Sequence, residues 1–226
     1  MTMDLDIKQN LCPESKYSVK CPHAMTPVGV CIHNTANDAP AQNEISYMLG
    51  NDDQVSFHYA VDDKEIIQAI PLNRNAWHAG DGGSGEGNRK YIAIEICYSK
   101  SGGPKFEAAI DNAAQLTAKL LTDYGWDISH VKKHQDFSGK HCPHRILDEY
   151  GWDNFLSLVQ AKLKEDSSVA KFADTAGHWA ETAIDELAEM GIVHGNDDGS
   201  FEPDKPATKA EVATMVRYAI KYITGK

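Results

Sequence analysis

The chain has 226 residues, of which 42% are hydrophobic and 24% are charged, and its formal net charge is −11 at pH 7. This length holds one ordinary domain and a smaller one, and the acidic balance argues against nucleic acid as a partner. No apolar stretch is long enough to span a membrane. The N-terminus lacks the basic and apolar regions of a signal peptide, so we expect synthesis in the cytoplasm.

The hydrophobic pattern predicts an α/β domain with a mixed β-sheet flanked by helices, followed by a small all-α unit. Strands are expected at 28–33, 56–61, 65–70 and 91–98, and helices of the first domain at about 41–49, 107–124 and 153–164. The boundaries follow from the loss of periodicity after the last helix: a first domain at 1–163, a linker at 164–170 and a second unit at 171–226. The glycine-rich segment from Gly80 to Asn88 is interpreted as a flexible rim.

A histidine and a carboxylate stand out on two of these strands. His33 ends the first strand, where it would lie on the rim of a sheet. An isolated histidine of this kind is more often a core residue held by a backbone carbonyl. Glu95 interrupts an isoleucine-rich strand, where a lone carboxylate is costly unless it is paired or opens onto a site. The alternative is an edge strand with Glu95 in water.

The segment His134-Gln-Asp-Phe-Ser-Gly-Lys140-His-Cys142-Pro is the most informative loop. An imidazole and a thiolate so close together suit Zn²⁺, and His33 would complete three protein ligands. Three ligands leave a fourth position for water, which is typical of catalytic zinc. Glu95 would then act as general base, and Lys140 would face developing negative charge. Neighbouring His141 and His144 are expected to point away.

Other side chains are weaker candidates. His58, Trp77 and His78 are candidates for lining a substrate groove, although packing or capping roles explain them about as well. Five cysteines cannot all pair. Four of them are therefore expected to be reduced and to behave as small hydrophobic residues: Cys12, Cys21, Cys31 and Cys97.

In their order along the chain, these motifs resemble those of the zinc N-acetylmuramoyl-L-alanine amidases of type 2, which include phage endolysins, Bacillus cell-wall amidases and peptidoglycan recognition proteins. The matching segments are Ile32-His-Asn-Thr35, Phe57-His-Tyr59, Trp77-His-Ala-Gly80, Ile94-Glu-Ile96 and the 134–143 loop. The resemblance covers about residues 20–160. It implies one zinc ion per chain on His33, His134 and Cys142, with Glu95 activating water and Lys140 stabilising the oxyanion. The implied substrate is peptidoglycan, cut between N-acetylmuramic acid and L-alanine.

The tail resembles a single S-layer homology (SLH) repeat over about residues 171–226. One apolar helical face is expected from Trp179 to Ala188, and a second from Val212 to Ile223. Thr208 and Glu211 form an expected capping box at the start of the second helix. The resemblance implies binding of a secondary cell-wall polymer, with Lys209 in the place of the family's arginine. The alternative for this tetrapeptide is capping alone.

Together these features predict a zinc-dependent peptidoglycan amidase of endolysin type that reaches the wall when the membrane is opened. An autolysin exported by another route is the alternative for its origin. Two rival functions stay open. One is a peptidoglycan-binding protein without catalysis, although such relatives lose the thiolate ligand. The other is a cysteine hydrolase with Cys142 as the nucleophile, although a cysteine followed by proline in a loop has no obvious means of lowering its pKa.

Overall fold

In the computed structural model, which describes residues 5–167 and 170–224, one six-stranded sheet forms the centre of the first unit. Its strands are β1 (Ile7–Gln9), β2 (Gly29–Asn34), β3 (Tyr59–Val61), β4 (Ile66–Gln68), β5 (Tyr91–Ile96) and β6 (Val131–Lys133). Their spatial order is β1-β4-β3-β5-β2-β6. All neighbours are parallel except β3 and β4, which are antiparallel. The predicted mixed sheet is confirmed.

The central pair of strands, β2 and β5, explains the two unusual side chains of the sequence. β5 lies between β3 and β2, so the edge-strand alternative for Glu95 is wrong. His33 and Glu95 are directly paired in the parallel register, and alternation places them on one face of the sheet. Ile32 and Ile94, also paired, lie on the opposite face and are fully buried. Strands buried on both faces read as continuous apolar runs.

Helices cover the sheet. In the first unit they are α1 (Tyr17–Lys20), α2 (Ala41–Gly50), α3 (Glu86–Lys90), α4 (Pro104–Tyr124), α5 (Gln135–Ser138) and α6 (Trp152–Ser167). α4 packs against four strands, from β2 to β5, through a buried face that includes Ile110, Ala114 and Leu121. It ends at Gly125, whose φ of 66° gives the left-handed cap that glycine adopts most easily. The three predicted long helices are therefore confirmed.

Two expectations need correction, and two strands were missed. Helix α6 continues to Ser167, four residues into the predicted linker, because Lys164, Glu165 and Asp166 are compatible with a helix. Residues 168 and 169 of that linker lie outside the described residues. The glycine-rich rim is partly helical, since its last residues belong to α3. Strands β1 and β6 were not predicted, because each contains a single apolar residue, whereas the equally short β3 and β4 lie within longer apolar runs.

An aspartate organises the glycine-rich segment. The carboxylate of Asp81 accepts hydrogen bonds from the backbone N–H groups of Gly87 (2.7 Å) and Asn88 (3.2 Å). Gly87 is required by close approach, because a Cβ there would lie 2.5 Å from Cβ of Ala79 and 2.8 Å from the ring of Phe137. The segment is therefore an ordered turn and helix rather than a flexible rim.

All five cysteines are free and buried, which agrees with the expectation of reduced, small hydrophobic residues for Cys12, Cys21, Cys31 and Cys97. Within the described part of the chain, no helix is both long enough and apolar enough to cross a membrane.

The second unit begins at Lys164. Beyond α6 it consists of a short 3-10 turn (Ala173–Thr175) and two helices, α7 (Glu181–Glu189) and α8 (Lys209–Thr224), without a strand among its described residues. The capping box is confirmed, because the N–H of Glu211 donates to Oγ1 of Thr208 and the N–H of Thr208 donates to Oε2 of Glu211.

One of the two predicted apolar faces of this unit, that of α7, differs from expectation. Trp179 precedes α7 and is 90% exposed, so it does not share the packed face of Ile184. The sequence places Trp179 at helical spacing, but the chain is still in a turn there. On α8, Val212, Val216 and Ile220 share one face as predicted, and about half of each side chain is exposed.

Candidate metal centre

The candidate site lies where β2 and β5 end and the loop after β6 folds over them. A groove with a volume of about 570 Å³ opens there. The groove is defined by its lining residues, chiefly His33, Glu95, His134, Lys140 and Cys142, together with residues 54–57, Trp77, His78 and Gly80. The structure thus brings all five residues of the predicted metal and catalytic set to one cavity.

Three potential ligands meet at the floor of the groove. Nδ1 of His33 lies 3.0 Å from Nδ1 of His134 and 3.9 Å from Sγ of Cys142, and the three atoms lie within 4.8 Å of one another. Zinc with nitrogen bonds of about 2.0 Å and a sulfur bond of about 2.3 Å separates its ligands by about 3.3–3.5 Å in a tetrahedron. The observed separations of 3.0 and 3.9 Å lie on either side of this range, and the three side chains are nearly fully buried. The donor set therefore fits a zinc ion.

The backbone explains this convergence. Residue 134 follows β6, which is hydrogen-bonded to β2, and the N–H of His134 donates to the carbonyl of Ile32 at 3.3 Å. The loop then turns through α5 and returns, because the N–H of Gln135 donates to the carbonyl of Cys142 at 3.0 Å. A parallel sheet therefore places ligands separated by a hundred residues side by side.

The protonation states support the fit. Burial, with the neighbouring His78, holds the pKa of His33 well below its usual value, and burial also lowers the pKa of His134. Both rings are therefore neutral at pH 7, which is the form that binds a metal. Nε2 of His134 is buried and has no hydrogen-bond partner among the described residues.

Burial, and next the charge of Glu95, raise the pKa of the Cys142 thiol to about 11. A neutral thiol is a poor nucleophile, which argues against the cysteine hydrolase. A bound divalent cation would instead deprotonate a coordinating thiol outright.

Glu95 stands beside the ligand set. Its Oε1 lies 3.9 Å from Nδ1 of His33, and its side chain is 18% exposed. Burial, and next the charge of Glu44, raise the pKa of Glu95 to about 8, against the opposing effect of Lys140. Its second oxygen, Oε2, is buried without a hydrogen-bond partner among the described residues. The carboxyl group therefore has an oxygen without a competing hydrogen bond next to the groove floor.

Of the three weaker candidates for the substrate groove, two line it and one does not. His58 is fully buried, and both of its ring nitrogens contact the backbone: Nε2 contacts the carbonyl of Arg74 at 3.0 Å, and Nδ1 accepts from the N–H of Ala93 at 2.9 Å. The prediction that His58 lines the groove is therefore wrong, because it links two backbone segments instead. Trp77 and His78 do line the groove. His141 points away from the ligands, as expected, to Asp148 at 2.8 Å.

Lys20 was missed by the sequence analysis. It is completely buried, and its ammonium group donates to Oδ1 of Asn51 (2.8 Å) and to the carbonyls of Asp53 (2.6 Å) and Val55 (3.2 Å). These contacts hold the segment that forms one wall of the groove. Nothing in the sequence around Lys20 indicates that this side chain is buried, and lysines are rarely buried.

We expect Lys20→Met to lower the free energy of unfolding by about 3 kcal/mol, because three acceptors lose a charged donor inside the protein. Urea unfolding measures this loss. Lys64→Met, which changes an exposed side chain, should shift stability by less than about 0.5 kcal/mol. Equal small shifts for both variants would contradict the assigned role of Lys20.

Comparison with protein families gives two matches. A family model described as N-acetylmuramoyl-L-alanine amidase matches residues 23–145. A model described as S-layer homology domain matches residues 171–213.

Two curated relatives come from Bacillus subtilis (strain 168). The N-acetylmuramoyl-L-alanine amidase XlyB is 53% identical over 195 residues, which cover 85% of this chain and 62% of XlyB. The N-acetylmuramoyl-L-alanine amidase CwlA is 45% identical over 218 residues, which cover 96% of this chain and 79% of CwlA. The chain thus spans less than two thirds of XlyB and more than two thirds of CwlA.

Solved structures agree with the fold. The structure of PlyL is 50% identical with a TM-score of 0.67, and the match covers 69% of this chain and 97% of PlyL. The solution structure of the PlyG catalytic domain is 51% identical with a TM-score of 0.67, covering 70% and 96%. Both resemblances inferred from the sequence motifs are therefore confirmed, and so is the fold class.

Proposed function

Since this chain belongs to the N-acetylmuramoyl-L-alanine amidase family, we propose that it hydrolyses the amide bond between N-acetylmuramic acid and L-alanine with a zinc site built from His33, His134 and Cys142. The observation that carries this proposal is the convergence of three buried ligand atoms at the floor of an open groove, with a free carboxyl oxygen beside them.

The three proposed ligands suit one zinc ion. Two neutral imidazoles and a thiolate give a site of mixed nitrogen and sulfur ligands, and a groove on one side leaves room for water and substrate. When bound, zinc would make a water molecule more acidic and polarise the scissile carbonyl group. The ligands themselves are held by β2 and by the loop after β6.

Glu95 is the proposed proton carrier. Its buried Oε2 has no competing hydrogen bond among the described residues, so it can accept a proton from the attacking water. A pKa raised by burial makes the resulting acid able to give that proton to the departing amine of L-alanine. One carboxyl group thus serves both halves of the reaction.

Lys140 is the proposed partner of the developing oxyanion. It lines the same groove, and its ammonium group is close enough to lower the pKa of Glu95. A positive charge placed where negative charge develops stabilises the transition state. Trp77 and His78 line the groove beside it and are proposed to contact the substrate.

The second unit is proposed to bind a secondary cell-wall polymer and to direct the enzyme to the wall. Lys209 opens α8 as an exposed residue directly after the capping residue Thr208. Its ammonium group can meet an anionic group of a polymer as a point charge, without the two-pronged contact of an arginine. Peptidoglycan is the proposed partner of the first unit.

Product analysis on purified Gram-positive cell walls tests this function. We expect new N-terminal alanine and no new reducing sugar ends, with a Glu95→Gln variant as the inactive control. New reducing ends would mean that a glycosidic bond is cut instead. Binding to walls without any new amino group would leave a recognition protein without catalysis and would refute the proposal.

A further inference from the structure

The imidazole of His33 uses both of its nitrogen atoms. Nδ1 faces His134 and Cys142, as described above. Nε2 points to the other side, where it lies 3.0 Å from Nδ1 of His78 and 3.1 Å from Sγ of Cys31. The rings of His33 and His78 meet edge-on, with centroids 5.0 Å apart and planes at 85°.

The direction of this hydrogen bond follows from the proposed function, on which the inference rests. If Nδ1 of His33 gives its lone pair to zinc, the proton of the neutral ring must be on Nε2. That N–H then needs an acceptor, because the ring is buried. Nδ1 of His78 offers a full lone pair, whereas the sulfur of Cys31 is a weak acceptor.

His78 is itself held in place by the glycine-rich segment. Its backbone N–H donates to Oδ1 of Asn88 at 2.7 Å, and the same oxygen accepts from the N–H of Ala79 at 2.8 Å. The amide nitrogen of Asn88 donates to the carbonyl of Gly82. The His78 ring thus sits on an ordered turn. Its own Nε2 is buried and has no hydrogen-bond partner among the described residues, so no neighbouring donor prevents it from carrying the proton that its accepting Nδ1 lacks.

We propose that His78 is a positioning residue for the metal centre: it accepts a hydrogen bond from Nε2–H of His33 and so selects the tautomer and ring orientation that present Nδ1 to the zinc ion. Partners of this kind orient metal-binding histidines, and their loss typically lowers metal affinity about 10–100-fold. His78 would therefore act on the metal through His33, in addition to its proposed contact with the substrate.

The same atoms permit a different arrangement. Cys31, His33 and His78 also place three potential ligand atoms within 4.8 Å of one another, so an ion on the Nε2 side of His33 is the competing possibility. On the Nδ1 side, both other ligands line the groove together with Glu95 and Lys140. On the Nε2 side, Cys31 is fully buried and does not line the groove. The geometry therefore favours zinc at Nδ1 and hydrogen bonding at Nε2.

The test is the zinc affinity of two matched variants of the full chain, measured by competition with a chromophoric chelator. His78→Leu removes the acceptor at nearly constant side-chain length, whereas His78→Asn keeps an acceptor oxygen close to the position of Nδ1. We expect His78→Leu to lower zinc affinity about 10–100-fold and His78→Asn to stay within a few-fold of wild type. The visible spectrum of the cobalt-substituted protein should change in the leucine variant alone.

Two results would overturn the proposal. Equal zinc affinities for wild type and His78→Leu would show that the hydrogen bond does not position His33. Equal losses in the leucine and asparagine variants, with folding verified by circular dichroism, would show that ring packing matters rather than the acceptor.

The Cys31→Ala variant separates the two metal arrangements. It should retain stoichiometric zinc, and loss of the ion would instead place the metal on the Nε2 side of His33. Failure of the proposed function looks different: the wild-type chain would itself bind no zinc or would release no N-terminal alanine. If the wild-type chain binds zinc and releases N-terminal alanine, and His78→Leu binds zinc equally well, only the positioning role of His78 is refuted.

Discussion

Glu95→Gln is expected to lower the rate of wall cleavage by about 10²- to 10⁴-fold, the usual contribution of a general acid–base residue. Glutamine keeps the size of the side chain but cannot take a proton from water. The bound zinc should stay at one per chain, because Glu95 is outside the proposed ligand set. Turnover on purified walls and the zinc content of the same preparation measure the two effects.

Glu44→Gln is the control for this substitution. Glu44 is a half-buried carboxylate that accepts a hydrogen bond from Asn37 at 2.7 Å and influences the pKa of Glu95, but it does not line the groove. Its variant should keep turnover within a few-fold of wild type. Near-normal turnover of Glu95→Gln, or equal losses in both variants, would show that Glu95 is not the proton carrier.

The second large effect concerns Cys142. Cys142→Ala should lose bound zinc and lower turnover by at least about 10³-fold, because both water activation and carbonyl polarisation depend on the ion. Cys142→Asp should keep zinc and part of the activity, because a carboxylate oxygen is also a zinc ligand. Metal content and turnover of the two variants, compared side by side, give the answer.

This pair separates zinc chemistry from thiol chemistry. A nucleophilic cysteine cannot be replaced by aspartate, so an inactive Cys142→Asp variant with full zinc content would favour the cysteine hydrolase. Cys12→Ala is the control, because Cys12 is also a free, buried cysteine but belongs to a separate small apolar cluster with Cys21 and Ile70. It should keep both zinc and activity.

The five residues that the sequence predicts for the metal centre all line one groove. A carboxylate among isoleucines is informative because its burial is costly unless it serves a site. A histidine and a cysteine in one loop are informative because both are zinc ligands, and the histidine at a strand end gains meaning beside them. The parallel sheet then supplies the proximity: β5, β2 and β6 are neighbours, so the ends of these strands collect Glu95, His33 and His134.

What the sequence did not predict depends on contacts between distant segments. The alternation of His58 on a strand predicts a groove residue, yet both of its ring nitrogens contact backbone groups, those of Ala93 and Arg74. Lys20 reads as a surface residue, yet the 51–55 segment supplies three acceptors for it. The order of the glycine-rich segment depends on one carboxylate, that of Asp81, which no local pattern distinguishes from a turn residue.

The most direct test of the zinc site is anomalous diffraction at the zinc absorption edge from crystals of the zinc-loaded full chain. We expect one peak per chain, bounded by Nδ1 of His33, Nδ1 of His134 and Sγ of Cys142, on the groove side of the His33 ring. A peak on the opposite side of His33, between Cys31 and His78, or no peak at all within this cluster, would contradict it.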